Sequence, residues 1–159
     1  MHKSLILLLL LASSVQQVLA HSETPQPAAS VLKEQTAWGI AGESGQVTRS
    51  IALRMSDAMR FTPDQLQIKR GETVRLIVHN DGRMLHEFVL GTEKALNEHA
   101  ALMLRFPGMQ HDEPYMTHVA PGQSSEILWT FNNAGEFDFA CLIAGHYQAG
   151  MRGKVRVTN

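Results

Sequence analysis

Cysteine is almost absent: Cys141 stands alone in 159 residues. No intramolecular disulfide can form, and a zinc site built on two or more cysteines is excluded, so any metal chemistry must mix ligand types. An excess of one charge is also missing, since 14 Lys and Arg against 15 Asp and Glu leave a net charge of −1. That excludes a polybasic nucleic-acid binder and a disordered acidic tail, and no nucleic-acid partner is expected. Long apolar runs are lacking too. The run Leu5 to Ala12 has eight residues, against roughly 20 for a membrane-spanning helix, so no stable membrane anchoring is expected. Met and His are what the chain has in excess, eight of each, and both bind soft or borderline metals.

The N-terminus reads Met1-His2-Lys3, the short apolar run, then a polar stretch closing on Val18-Leu19-Ala20. This is the pattern of a signal peptide at 1–20, cleaved after Ala20. No cysteine follows the run to carry a lipid, and Lys3 alone is no twin-arginine signal, which leaves export in soluble form. Residues 21–45 are rich in Ser, Thr, Pro, Gln, Ala and Gly and are expected to form a loosely ordered arm, with Trp38 and Ile40 available to dock its end. His21 would then be the mature N-terminus, where an amine and an imidazole together can chelate copper, or it is an incidental tail residue. Residues 46–159 form a single domain, expected to be a monomer.

From Val47 onward, short alternating segments separated by turn residues predict an all-β antiparallel sandwich or barrel. The strand candidates are Ser50 to Met55, Leu66 to Lys69, Thr73 to His79, His86 to Leu90, Glu126 to Phe131, Glu136 to Cys141 and Lys154 to Val157. In the third of these, Val74, Leu76 and Val78 share one face. One stretch is helical: Thr92 can cap a helix reaching Phe106, with Ala95, Leu96, His99, Leu102, Met103 and Phe106 on one stripe. A loop from Pro107 to Gly122 returns the chain to the sheet.

The segment Cys141-Leu142-Ile143-Ala144-Gly145-His146-Tyr147-Gln148-Ala149-Gly150-Met151 places a thiol, an imidazole and a thioether at five-residue steps. Gly145 and Gly150 permit the sharp turns that let these side chains converge. His86, after the Asn80-Asp81-Gly82 turn, supplies a second imidazole. Two imidazoles, a thiolate and a weak axial thioether are the ligands of a mononuclear type 1, or blue, copper site. Thiolate and thioether suit Cu(I) while imidazole suits both oxidation states, so a fixed site lets the metal change charge with little reorganisation. His86, Cys141, His146 and Met151 are therefore expected to hold one copper per chain, cycling between Cu2+ and Cu+.

An all-β exported domain with an upstream His and a Cys-x4-His-x4-Met loop resembles a cupredoxin over Val47 to Asn159. The segments Met84-Leu85-His86-Glu87-Phe88-Val89-Leu90-Gly91, Phe106-Pro107-Gly108-Met109-Gln110-His111-Asp112-Glu113-Pro114-Tyr115-Met116 and Gly135-Glu136-Phe137-Asp138-Phe139-Ala140-Cys141 resemble the periplasmic CopI-type cupredoxins associated with bacterial copper tolerance. The resemblance implies a Greek-key β-sandwich with copper under the loops at one end, here with a helix-plus-loop insertion. It also implies a periplasmic location and a role in copper handling and one-electron transfer. His146 would be the electron port, with Leu142, Ile143, Ala144 and Ala149 as the apolar rim for a transient redox protein partner. A dedicated electron shuttle to a respiratory reductase or oxidase is the alternative. The pattern departs from plastocyanin- and azurin-like members at Glu87, where an Asn commonly ties the ligand loops together.

Met109, His111, Met116 and His118 form a Met-x-His-x4-Met-x-His pattern in the loop, with ligands that suit a second copper ion. Met is also an ordinary gap filler and loop His commonly face solvent, so packing is the competing account. His99 and Met103, one turn apart on the helix, face the same choice. A Cys-His nucleophilic enzyme would need a base oriented by a third group. Nothing in the chain selects one, and a non-enzyme is expected.

Overall fold

Ten short strands and one α-helix make up the computed structural model, which describes residues 33–109 and 111–159. The expected signal peptide at 1–20 and the first part of the expected arm lie outside the described residues. The strands are β1 (Ile40–Ala41), β2 (Val47–Ser56), β3 (Arg60–Thr62), β4 (Gln65–Lys69), β5 (Thr73–Asn80), β6 (His86–Gly91), β7 (Met116–Val119), β8 (Ser124–Thr130), β9 (Gly135–Ala140) and β10 (Arg152–Thr158). Helix α1 (Glu93–Arg105) is inserted between β6 and β7.

Two five-stranded sheets, ordered β1-β8-β5-β2-β3 and β4-β10-β9-β6-β7, face one another as the expected all-β sandwich. Alternation drives this arrangement. In β5, Val74, Leu76, Val78 and Asn80 are buried, and in β10 Gly153, Val155 and Val157 are buried while Arg152, Lys154 and Arg156 face solvent. The shared core runs from Leu53, Leu76 and Trp129 in one sheet to Ile68, Phe88, Phe139 and Val155 in the other. Apolar burial of this kind contributes about 25 cal/mol per Å² removed from water.

The pairing is not wholly antiparallel, as the strand pattern alone implied. β2 runs parallel to β5, and β4 parallel to β10. The chain crosses between sheets, so strands distant in sequence become neighbours, and a crossover return brings them side by side in the same direction.

The end of the arm, where Trp38 and Ile40 stood available to dock, is docked over residues 35–41: Gln35 and Asn132 exchange side-chain hydrogen bonds, Trp38 O accepts the Trp129 indole N–H at 2.9 Å, and β1 pairs with β8. Apolar Trp38 packs against the core and outweighs its polar surroundings. Two local features differ from expectation. The loop expected over 107–122 contains β7, an edge strand paired with β6, whose four residues between prolines are too few to show a period. Helix α1 is capped by Thr92, whose side chain accepts the Ala95 N–H at 3.2 Å, a contact worth about 1 kcal/mol. Its buried line, however, is Leu96, Ala100 and Met103, while Leu102 and Phe106 of the expected stripe are exposed.

That narrow line rests on a second small core with Val89, Met116, Ala140, Leu142 and Tyr147. Both faces of β6 are thereby covered, and all six of its residues are buried. His86, Phe88 and Leu90 alternate with Glu87 and Val89, so neighbouring residues of β6 serve opposite sides of the sheet.

Candidate metal centre

Cys141 follows β9 directly and is fully buried. Its backbone N–H donates to Met151 O at 3.0 Å, and Met151 N–H donates to His146 O at 3.1 Å. The loop between them is wound by His146 N–H to Ile143 O, Ala149 N–H to Gly145 O and Gly150 N–H to Tyr147 O, each within 3.0 Å. Gly145 and Gly150 both sit at φ 91°, a left-handed conformation that favours glycine. The five-residue spacing of the ligand candidates thus becomes a closed loop whose two ends are hydrogen-bonded together.

His86 enters from the adjoining strand. Donor atoms of His86, Cys141 and His146 all lie within 4.8 Å of one another, and the two imidazole rings are 5.0 Å apart at their centroids. Cys141 Sγ is 3.3 Å from His146 Nδ1. Met151 is fully buried in the core cluster that contains Cys141. The structure therefore brings together the two imidazoles and the thiol, with the thioether residue tied to them through its backbone.

The side chains around this cluster prepare it for a cation. Asp57, in the turn after β2, accepts Arg83 N–H at 2.8 Å and Met84 N–H at 3.3 Å, and its Oδ1 lies 3.1 Å from His86 Nε2. The Arg83 N–H, with lesser help from Met84 N–H and the His86 ring, holds the Asp57 carboxyl below the usual range. With Nε2 engaged, Nδ1 is the His86 nitrogen left for a metal, and it is buried with no hydrogen-bond partner. An orphaned buried ring nitrogen beside a buried thiol fits a soft or borderline metal ion. Burial pushes the Cys141 thiol up to about 12, and burial likewise pushes the His146 ring down.

Glu87 takes over the tying role that Asn commonly has. Its backbone N–H donates to Cys141 Sγ at 3.3 Å, and its carboxylate Oε2 accepts the Leu142 N–H at 3.2 Å. One residue therefore links the His86 strand to the Cys141 loop. Burial pushes its carboxyl up to about 7, opposed by the Leu142 N–H. Sequence reasoning missed Asp57 altogether, because nothing in the chain pattern ties a turn after β2 to a strand 29 residues later.

At the surface, His146 is partly exposed. The expected apolar rim needs one correction: Leu142 is buried in the small core under α1, because its place next to Cys141 turns it toward the helix. Ile143 is partly exposed, Ala144 and Ala149 are exposed, and exposed Met84 and Leu85 precede His86. Of the second-site candidates, His111 and His118 both approach Glu87, whereas Met116 is buried in the small core with Val89 and Leu96, and Met109 is exposed.

A β-sandwich with a thiol and two imidazoles converging at one end defines the cupredoxin class of type 1 copper proteins. Residues 48–158 match the model of copper binding proteins of the plastocyanin/azurin family, and the chain belongs to that family. It is 50% identical over 122 residues to the copper-resistant cuproprotein CopI of Rubrivivax gelatinosus, covering 77% of this chain and 74% of the relative. The CopI of Pseudomonas aeruginosa is 36% identical over 150 aligned residues, covering 76% of this chain and 82% of the relative. Among solved structures, reduced auracyanin from Roseiflexus castenholzii superposes with a TM-score of 0.61 at 18% identity, covering 71% of this chain and 99% of that one. Copper is the cofactor of this domain, and the His86, Cys141 and His146 cluster is consistent with a type 1 site. No helix among the described residues is long and apolar enough to cross a membrane.

Proposed function

We propose that His86, Cys141, His146 and Met151 hold one copper ion, and that the chain acts in the periplasm in copper handling and tolerance with one-electron transfer. The observation that carries this reading is the buried, unpartnered His86 Nδ1 beside the Cys141 thiol and the His146 ring. Bound copper supplies one-electron redox chemistry. The chain supplies the rest: Asp57 orients His86, Glu87 N–H stabilises charge on the Cys141 sulfur, and the Met151 backbone closes the loop. A site held this firmly lowers the reorganisation that accompanies a change of charge. His146, at the surface end, is the exit for the electron, and Met84, Leu85, Ile143, Ala144 and Ala149 surround it as the docking rim for a transient partner. The leader-like N-terminus supports export, and relatives named for copper resistance support the tolerance role.

Deleting the gene is expected to lower the copper concentration at which cells grow, with growth restored by the wild-type chain and not by Cys141→Ser. Unchanged copper sensitivity together with a slowed terminal reductase or oxidase would replace the tolerance reading by the dedicated shuttle. The axial assignment has its own test. Met151→Leu is expected to keep copper and raise the reduction potential, because a thioether donor to the metal is lost. Loss of all copper binding in that variant would assign Met151 a different role.

A further inference from the structure

The face of β6 turned away from the core carries a second cluster, whose imidazoles and free carboxylate oxygen the type 1 site does not use. Glu87 is fully buried there, and while its Oε2 accepts the Leu142 N–H, its Oε1 has no hydrogen-bond partner. His118 stands opposite it in the β6–β7 register, with Nε2 3.4 Å from that oxygen. His111 reaches the same oxygen from the loop, with Nε2 at 3.7 Å, and both of its ring nitrogens are buried without a hydrogen-bond partner. His99 comes from α1, its ring centroid 4.4 Å from that of His111. A cleft lined by His111, His118, Met103, Met109 and Asp112 opens beside them.

We propose that Glu87, His111 and His118 form a second metal site, with His99 as the adjacent fourth donor, and that it takes copper as Cu(II). A buried carboxylate oxygen without a donor is costly, and here two imidazole nitrogens face it without completing a hydrogen bond. Two ligand atoms sharing one ion at about 2.1 Å lie roughly 3 to 3.5 Å apart, and the two carboxylate-to-imidazole spacings, 3.4 and 3.7 Å, are close to that. Small rotations of the His111 and His118 rings complete the approach. A single acidic charge also needs no more than one histidinium partner, whereas two imidazoles face this one.

The donor types decide the metal. Imidazole and carboxylate without thiolate select a borderline divalent ion, and for such donors affinity peaks at Cu(II). The thioethers in the sequence pattern are not the core of the site: Met116 packs among Val89, Leu96 and Met103, and Met109 stands at the cleft. The site therefore differs in chemistry from the sulfur-containing one on the other side of β6. It gives a copper-handling chain a second place to hold the ion, outside the redox centre.

Titration of the purified protein with Cu(II) tests this, followed by the visible thiolate-to-copper band and by electron paramagnetic resonance. The first equivalent is expected to develop the band. A second should add a nitrogen-ligated Cu(II) resonance without further band intensity. His111→Ala combined with His118→Ala is expected to reduce stoichiometry from two to one while the band persists, and the band itself reports that the variant is folded. If that double variant does not fold, the single changes His111→Gln and His118→Asn, which keep polarity and most of the volume, are each expected to weaken the second equivalent. Wild-type protein that saturates at one equivalent overturns the proposal. So does a second equivalent that survives these changes, since it then sits elsewhere, His21 included. Failure of the type 1 reading is separate: it removes the band and leaves the second resonance in place.

Discussion

Replacing Cys141 by Ser is expected to abolish the intense visible band of the copper-loaded protein and to weaken copper binding at that site by more than about 100-fold, the upper range for loss of a mere outer-shell partner. The hydroxyl is a poor ligand for Cu(I), and it cannot supply the sulfur-to-metal charge transfer that gives the colour. Fold stability should change little by comparison. Cys141 is buried, and its sulfur meets the Glu87 N–H, the Ile143 N–H and the neighbouring His146 ring, all of which Ser can approach. The pH dependence separates a ligand from a bystander. Burial pushes the thiol up to about 12, so at neutral pH the metal must displace a proton from Cys141. Apparent affinity of the wild-type site should therefore rise about tenfold per pH unit between pH 6 and 8, while the serine variant loses that dependence. A retained band, or a wild-type affinity indifferent to pH, would remove Cys141 from the ligand set.

Gly153→Ala should destabilise the fold by about 3 kcal/mol, at the high end for overpacking. Gly153 lies opposite Phe139 in the β9–β10 ladder. A Cβ there would fall 2.2 Å from Phe139 Cζ and 2.5 Å from Asp64 O. The Asp64 carbonyl accepts the Lys154 N–H at 2.8 Å and cannot retreat without breaking that bond. Phe139 is equally hemmed in, stacked on Phe88 at 5.3 Å and edge-on to Phe61 at 5.1 Å. The strain reaches the copper end, because Phe88 follows His86 by two residues and Phe139 precedes Cys141 by two. Urea denaturation of the copper-free protein measures the cost, and adding Phe139→Leu should recover part of it. A loss below about 1 kcal/mol would mean the ring moves more freely than its packing implies.

The parts of the fold that were legible in the sequence are those whose environment has a simple period. β5 and β10 present one face to the core and the other to water, and their alternation shows it. β6 was legible as a strand, but not its complete burial, since cover on both faces depends on a helix that arrives later in the chain. β7 was hidden because four residues carry no measurable period. The helix itself was legible, but its stripe was drawn too wide: Leu102 and Phe106 continue the pattern past the edge of what the sheet covers.

The same division holds at the site. Cys141 and His146 were legible together because they share one loop, where spacing and glycine placement express geometry directly. His86 could be joined to them only through its ligand chemistry, and the structure brings it there. Asp57 and the double role of Glu87 were not legible, since each depends on contacts between segments far apart in the chain. The Met and His pattern of the loop pointed to a second cluster, but the register of β6 with β7 decides which of its members meet a carboxylate.

By itself the sequence determined the all-β class, the helix insertion and a sulfur-and-imidazole donor set suited to copper. These follow from residue type and local spacing, which act over a few residues. Only the tertiary structure decided which imidazole nitrogen is free, what supports the thiolate, and that neighbouring residues His86 and Glu87 serve different clusters on opposite faces of one strand. Those outcomes depend on long-range strand pairing, where a shift of one residue in register would turn every side chain to the other side.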